Sequence, residues 1–133
     1  INLKTVDYNV LDGSGVRGEY DLLISNILTE QAGDPEVFVN QYWKTNVDGS
    51  NPQNGSGYSN PEYDALSDQL ASEFDPAKRR DIIIKMEKIV QDDAATLIFG
   101  YPQTNMVSNK SVQNANIYPC DYYWVTKDIT PAK

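Results

Sequence analysis

The sequence contains no histidine and only one cysteine among its 133 residues. Without histidine the chain has no Ser-His-Asp triad, no Cys-His pair and no imidazole ligand for a metal ion. One cysteine cannot form an internal disulfide bond, and structural zinc sites and iron–sulfur clusters need more cysteines than this. These absences exclude the commonest nucleophilic and metal-dependent chemistries from this chain.

Positive charge is also scarce, because 19 Asp and Glu residues outnumber 11 Lys and Arg residues and give a net charge of −8. Such a chain lacks the basic surface of a nucleic-acid binder or of a protein that lies on anionic membranes. No apolar run approaches the ~18 residues of a membrane span. Hydrophobic residues still make up 40% of the chain, which is enough for the core of one domain or part of one.

Two short segments have the pattern of β-strands. Residues 1–7 alternate imperfectly between apolar and polar side chains, and residues 20–24 form a nearly continuous apolar run. Residues 8–11 between them begin a short helix or loop, which is expected to stop at the glycines of residues 13–15 and at Gly18. A strand, a crossover and a second strand form the βαβ pattern, so the sequence predicts an α/β fold.

Three helices are predicted to begin where a capping residue precedes a proline, at Asp34-Pro35, Asn60-Pro61 and Asp75-Pro76. The side chain of each capping residue can accept hydrogen bonds from free backbone N–H groups, and proline fits the first helical position. The third helix has a wide apolar stripe with charged residues outside it. The stripe comprises Ile82, Ile83, Met86, Ile89 and Val90, and the residues expected outside it are Arg79, Arg80, Lys85 and Glu87.

Polar and β-prone segments separate and follow these helices. Residues 44–59 are rich in Asn, Gly and Ser, and they form a loop long enough that a function should be considered. Residues 94–101 are apolar and β-prone, and residues 105–108 are expected to add a short strand.

The polar loop at residues 26–33 follows the second predicted strand. Ligands of open α/β sheets bind beyond the carboxyl ends of the strands, so this loop is a candidate ligand site. Glu30 can pair with an ammonium group, and Thr29 and Gln31 can form hydrogen bonds with a peptide-like ligand. An ordinary solvated loop is the alternative. The candidate residues are Asn26, Thr29, Glu30, Gln31 and Gly33.

Five segments in collinear order carry a resemblance to a known family. They are residues 18–25 with 33–38 (GEYDLLIS, GDPEVF), 57–66 (GYSNPEYDAL), 75–80 (DPAKRR), 86–94 (MEKIVQDDA) and 101–103 (YPQ). Each segment alone is mostly capping and turn chemistry. Together they resemble the extracytoplasmic solute-binding proteins of ABC transporters, in particular the peptide/nickel (dipeptide and oligopeptide) class.

The resemblance implies a periplasmic-binding-protein-like (type II) lobe, in which helices flank a mixed sheet. Members of the family are several-fold longer than this chain and have two α/β lobes joined by crossing strands. We therefore expect residues 1–100 to be part of the second lobe, and residues 101–133 to be a C-terminal segment that returns toward the hinge and the first lobe. The first lobe of the same protein would be absent from this piece.

The resemblance also indicates which residues line the ligand cleft. The family uses residues just before the Asp34-Pro35 pair, which is the loop already singled out. Several relatives have an aromatic side chain near Thr29, and this chain has none there. Trp43 is a further candidate for ligand contact, with packing as the alternative. Asp34 and Glu36 are expected to cap and stabilise the helix start rather than to bind ligand.

Metal binding and catalysis find little support in the sequence. Nickel-binding relatives can place a histidine after the Asp-Pro helix, and this chain has none. Asn46, Asp48 and Ser50 lack the glycine and terminal glutamate of a calcium loop. Asp92 and Asp93 are adjacent at a helix end, where solvated carboxylates are the expected interpretation. We expect no metal ligand, no catalytic residue and no cofactor.

The resemblance implies a non-catalytic function, which is the capture of a peptide or a nickel chelate and its delivery to the permease subunits of an ABC transporter. It places the protein outside the cytoplasm, with a lipid anchor in the full-length form. Two other classes remain open, namely a stand-alone α/β sensing or interaction domain and a hydrolase domain. The hydrolase would need a nucleophile and a base that the sequence does not offer.

Overall fold

The computed structural model of the protein describes residues 2–26, 34–101, 103, 105–117 and 125–132. The chain divides into two compact units, Ile1–Leu97 and Ile98–Lys133. The first unit contains helices α1 (Tyr8–Arg17), α2 (Pro35–Trp43), α3 (Pro61–Ser72) and α4 (Pro76–Asp92), and the second contains strands β1 (Val112–Gln113) and β2 (Thr130–Pro131). Among the described residues, no helix combines the length and apolar character that crossing a membrane requires.

Helices α2, α3 and α4 begin where the sequence predicts. Their N-caps are Asp34, Asn60 and Asp75, and a proline follows each cap. In all three, the cap side chain accepts a hydrogen bond of 2.9 Å from the backbone N–H two residues later. Local capping chemistry therefore determines the start of each helix, and the three predictions are confirmed.

The core of the first unit forms where α4 packs against both α2 and α3. Four residues of the predicted stripe on α4 are buried, and Ile89 packs beside them as a partly buried side chain. The opposing helices contribute apolar and aromatic side chains. The buried core comprises Val39, Trp43, Tyr63, Leu70, Ile82, Ile83, Met86 and Val90.

Tyr63 on α3 lies at the centre of this core with no exposed surface. Its hydroxyl donates a 2.6 Å hydrogen bond to the backbone carbonyl of Val39 on α2. Burial raises the pKa of Tyr63, so the neutral, hydrogen-bonding form persists. One turn further along α3, the hydroxyl of Ser67 lies 2.8 Å from Oδ1 of Asn40. These bonds fix α3 against α2 and leave the buried tyrosine hydroxyl satisfied.

Helix α1 continues through the glycines at which the sequence predicts a stop. Asp7 caps its start, and the helix ends at Gly18, whose φ of 65° is the left-handed conformation that glycine adopts without strain. The carbonyl oxygen of Gly15 lies so close to Gly55 that a Cβ atom at Gly55 would overlap it. Gly55 is thus needed for the close contact between α1 and the loop after α2, and Gly15 does not break the helix.

The predicted strands of the first unit are not formed among the described residues. Residues 2–7, 19–26 and 95–97 have no strand pairing, and Leu3 and Leu22 are 81% and 78% exposed. A strand requires a neighbour to complete its hydrogen bonds, and the described part of this unit offers none. The strand predictions for these three segments are therefore wrong for this 133-residue chain.

The described residues of the second unit contain one two-stranded sheet. β1 and β2 pair antiparallel, with Val112 opposite Pro131 and Gln113 opposite Thr130. The short strand expected at residues 105–108 is not present. The mixed sheet of a type II lobe stays a prediction, as does the division of the chain at residue 100.

Two isoleucines on α4, one buried and one exposed, test the packing of the core. Ile82 is 4% exposed and Ile84 is 54% exposed, so an alanine substitution leaves a cavity only at Ile82. We expect Ile82→Ala to lower the free energy of unfolding by about 2–5 kcal/mol, and Ile84→Ala by less than about 1 kcal/mol. Urea unfolding of the 133-residue chain measures both, and equal losses would contradict this packing.

Candidate functional site

The residues predicted to bind ligand lie mostly in one stretch of chain. Asn26 is exposed and is the last described residue of the non-helical segment 19–26. Thr29, Glu30, Gln31 and Gly33 lie outside the described residues. Their ligand-binding role stays a prediction, and the described geometry of the site begins at Asp34, where the same stretch enters α2.

Trp43, the remaining predicted ligand residue, lies in the core at the end of α2. It is 8% exposed, and its indole N–H donates a 3.0 Å hydrogen bond to Oγ1 of Thr96. The ring of Phe38 meets it edge-on at a centroid distance of 5.1 Å. Burial and a satisfied N–H favour packing, the alternative that the sequence left open.

Asp34 caps α2 and also takes part in an ion pair. Its Oδ1 accepts the backbone N–H of Glu36 at 2.9 Å, and its Oδ2 lies 2.7 Å from Nη2 of Arg79. The capping bond, followed by the Arg79 guanidinium, holds the pKa of the Asp34 carboxyl below its usual value. The carboxylate therefore stays ionised at the point where the candidate ligand stretch joins the helix.

Arg79 corrects a prediction, because the sequence places it outside the apolar stripe of α4. Its side chain is only 19% exposed, and it reaches both neighbouring helices. Nη2 also lies 2.9 Å from Oε2 of Glu36, and Nη1 donates to the carbonyls of Leu70 and Glu73, each at 2.9 Å. The guanidinium thus joins the start of α2 to the end of α3, and its bonds to the carboxylates of Glu36 and Asp34 raise the pKa of Arg79.

The loop after α2 is organised around a buried asparagine, Asn54, which is 3% exposed. Its amide nitrogen donates to the backbone carbonyls of Lys44 at 2.9 Å and Tyr58 at 2.8 Å. Its side-chain oxygen accepts from the hydroxyl of Ser56 and the backbone N–H of Tyr58. One side chain therefore closes the loop upon itself and gives it a defined structure.

Asn46 and Ser50 serve the same loop as turn residues. Oδ1 of Asn46 accepts the backbone N–H of Asn51 at 2.9 Å, and the hydroxyl of Ser50 accepts that of Val47 at 3.2 Å. Their oxygen atoms are thus used within the loop. Within the described ranges, no group of three or more acidic, histidine or cysteine side chains is placed to hold a metal ion.

The two adjacent aspartates at the end of α4 have separate partners. Asp92 forms an exposed ion pair with Lys88 one turn earlier, at 2.8 Å. Oδ2 of Asp93 accepts a 2.6 Å bond from the hydroxyl of Tyr58 and a 2.8 Å bond from the amide of Asn60. The two carboxylates do not form an acid–base pair, and Asp93 instead fastens the end of α4 to the start of α3.

One curated protein is similar to most of this chain. A probable D,D-dipeptide-binding periplasmic protein of Escherichia coli strain K12 is 32% identical over 97 residues, which are 73% of this chain. The chain spans 18% of the length of that protein. No protein-family model and no solved structure matches the sequence.

This similarity supports the resemblance to solute-binding proteins of ABC transporters that the five collinear segments carry. It also agrees with a binding function rather than an enzymatic one, because the name of the relative describes a binding protein. The match covers about a fifth of the relative's length. The ligand, the transporter partners and the cleft of the whole protein are therefore matters for a proposal.

Sequence reasoning overlooked two residues that shape the site, and each left a signal. Arg79 lies three and four residues before Ile82 and Ile83, so the helical period extends the buried stripe to it. Its aliphatic stem can follow an apolar face while the guanidinium reaches polar partners. Asn54 precedes glycine in a loop rich in turn residues, and its burial depends on the packing of the whole loop.

Replacing Asn54 tests the organisation of the loop. Asn54→Ala removes four side-chain hydrogen bonds and leaves the carbonyl of Tyr58 without its side-chain donor, whereas the carbonyl of Lys44 keeps a bond from Asn51. We therefore expect the free energy of unfolding to fall by about 2–3 kcal/mol. The backbone N–H of Tyr58 should exchange faster with solvent, because it loses one of its two side-chain acceptors. Gln53→Ala, at an exposed neighbouring position, is the control. An equal effect of the two changes would show that Asn54 does not organise the loop.

Asp93 should make the stability of the fold depend on pH. The bonds from Tyr58 and Asn60 lower the pKa of Asp93, so its contribution to stability is present above the unfolded pKa of about 4 and is lost as pH falls through the lower folded value. We expect wild type to lose stability relative to Asp93→Asn between about pH 4 and pH 2.

Tyr58→Phe is the matching variant, since it removes the larger cause of the pKa shift and keeps the carboxylate. Its stability should therefore depend less steeply on pH than that of wild type over the same range. Urea unfolding at each pH gives the comparison. Parallel pH profiles for all three proteins would contradict the assigned role of Asp93.

Proposed function

We propose that this chain is part of an extracytoplasmic solute-binding protein that captures a short peptide and delivers it to an ABC permease. The observation that carries the proposal is the 97-residue similarity to a D,D-dipeptide-binding periplasmic protein. The peptide ligand is preferred to the nickel chelate, because the relative is named as a probable D,D-dipeptide-binding protein.

The ligand is proposed to contact the stretch before α2. Glu30 would pair with the ammonium group of the peptide, and Thr29 and Gln31 would form hydrogen bonds with its amide groups. The exposed Asn26 lies at the start of this stretch. Residues on loops that a rigid scaffold positions are the usual place for ligand contacts.

Binding by a two-lobed protein would depend on the absent lobe as well as on this one. Ligand shifts the population toward a closed form only if it binds that form better than the open one. A closed form buries the ligand between lobes, so half of the contacts would come from outside these 133 residues. The closed form would then dock on the transmembrane subunits of the permease.

Calorimetric titration of the full-length protein tests the proposal, with D-alanyl-D-alanine, L-alanyl-L-alanine and their N-acetylated forms as probes. We expect saturable binding of a dipeptide, with the acetylated form bound more weakly because it carries no ammonium group. The isolated 133-residue chain should bind weakly or not at all. Absence of binding by every dipeptide would refute the proposal, and full affinity of the isolated chain would favour a stand-alone sensing domain.

Glu30→Gln tests the ammonium contact, because it removes the charge and keeps the shape. Loss of a charge-assisted hydrogen bond is worth about 1.5–3 kcal/mol, so we expect dipeptide affinity to fall by about 10- to 100-fold. Affinity for the acetylated dipeptide should be unchanged. Glu62→Gln, in the exposed first turn of α3, is the control, and equal losses for both ligands would contradict the assignment.

A further inference from the structure

The side chain of Arg79 forms hydrogen bonds to two other parts of the first unit, the start of α2 and the end of α3. It binds Asp34, which is 45 positions away, Glu36 on the first turn of α2, and the carbonyls of Leu70 and Glu73 where α3 ends. The side chains of Arg79 and Glu36 are 19% and 26% exposed, so this partly buried pair is screened less than a fully exposed one, whereas the side chain of Asp34 is 46% exposed.

The position of this cluster relates it to the candidate ligand stretch. Asp34 is the residue at which that stretch becomes helical, and Gln31 lies only three residues earlier. Three residues span at most about 10 Å of chain, so an anchor at Asp34 limits where Gln31 can lie. The carbonyls of α3 hold the other side of the guanidinium, which prevents Arg79 from following Asp34 if the helix start shifts.

We propose that Arg79 is a positioning residue for ligand binding, which fixes the exit of the ligand stretch by holding Asp34 and Glu36 against the end of α3. The inference rests on the proposed function and adds a specific role for a residue that touches no ligand. Without Arg79 the Asp34 and Glu36 carboxylates would lack their shared cation and would repel each other. Binding would then have to order the helix start as well as the ligand, at the expense of affinity.

Variants of the full-length protein test this role, with D-alanyl-D-alanine as the probe. Arg79→Met keeps the aliphatic stem and removes all four bonds, and we expect affinity to fall about tenfold. Arg79→Lys keeps the charge without the bidentate fork and should lose less. Asp34→Asn should weaken binding too, and its effect should not add to that of Arg79→Met, because both break the same contact.

Two controls separate positioning from simple loss of stability. Val90→Ala destabilises the core at the other end of α4 without touching the cluster, and Arg80→Met removes an exposed charge whose described partner is Asp81. Both should keep wild-type affinity. Hydrogen exchange of the Glu36 amide, whose acceptor is Asp34, should accelerate in Arg79→Met and not in Val90→Ala.

The outcomes of these experiments distinguish the positioning role of Arg79 from the proposed function on which it rests. Wild-type affinity in Arg79→Met, or in Arg79→Lys and Asp34→Asn if the first variant does not fold, overturns the positioning role and leaves the proposed function intact. Equal loss of affinity in Val90→Ala also overturns it, since the effect would then follow stability. Failure of the wild-type protein to bind any dipeptide overturns both proposals.

Discussion

One face of α4 holds α2 and α3 together. It begins with Arg79, continues through Ile82, Met86 and Val90, and leads to Asp93 just beyond the helix. The middle of this face buries apolar surface against α2 and α3, and the hydrophobic effect supplies most of the stabilisation. The polar ends act differently, because each holds the start of a neighbouring helix through directed, charge-assisted bonds.

The same arrangement bears on the proposed binding site. Arg79 holds the start of α2, and Asp93 holds the start of α3 together with Tyr58. Both fixed points lie at the first residues of a helix, so they control the direction in which each helix begins. The loop closed by Asn54 needs no ligand to be ordered, since its polar groups satisfy one another.

The sequence predicts those features that depend on local chemistry. The three caps and their prolines concern residues two or three positions apart, and each helix begins where the caps indicate. The buried stripe on α4 follows in the same way from the helical period. Both depend only on neighbouring residues, so a sequence without structure is enough to find them.

Features that depend on long-range contacts cannot be predicted from neighbouring residues in this way. The β-prone segments at residues 2–7 and 20–24 remain unpaired, because strand formation depends on a partner that local pattern does not supply. Arg79 is charged, and its burial depends on acceptors from two other helices. Trp43 fits a cleft or a core equally well in sequence, and its neighbours Phe38 and Thr96 decide for the core.

A crystal structure of the full-length protein with D-alanyl-D-alanine tests the central claim most directly, which is that the stretch ending at Asp34 binds a peptide. We expect Glu30 to contact the ligand ammonium group, while Arg79 binds Asp34 and Glu36 and touches no ligand atom. A ligand bound away from residues 26–33, or one held directly by Arg79, would contradict it.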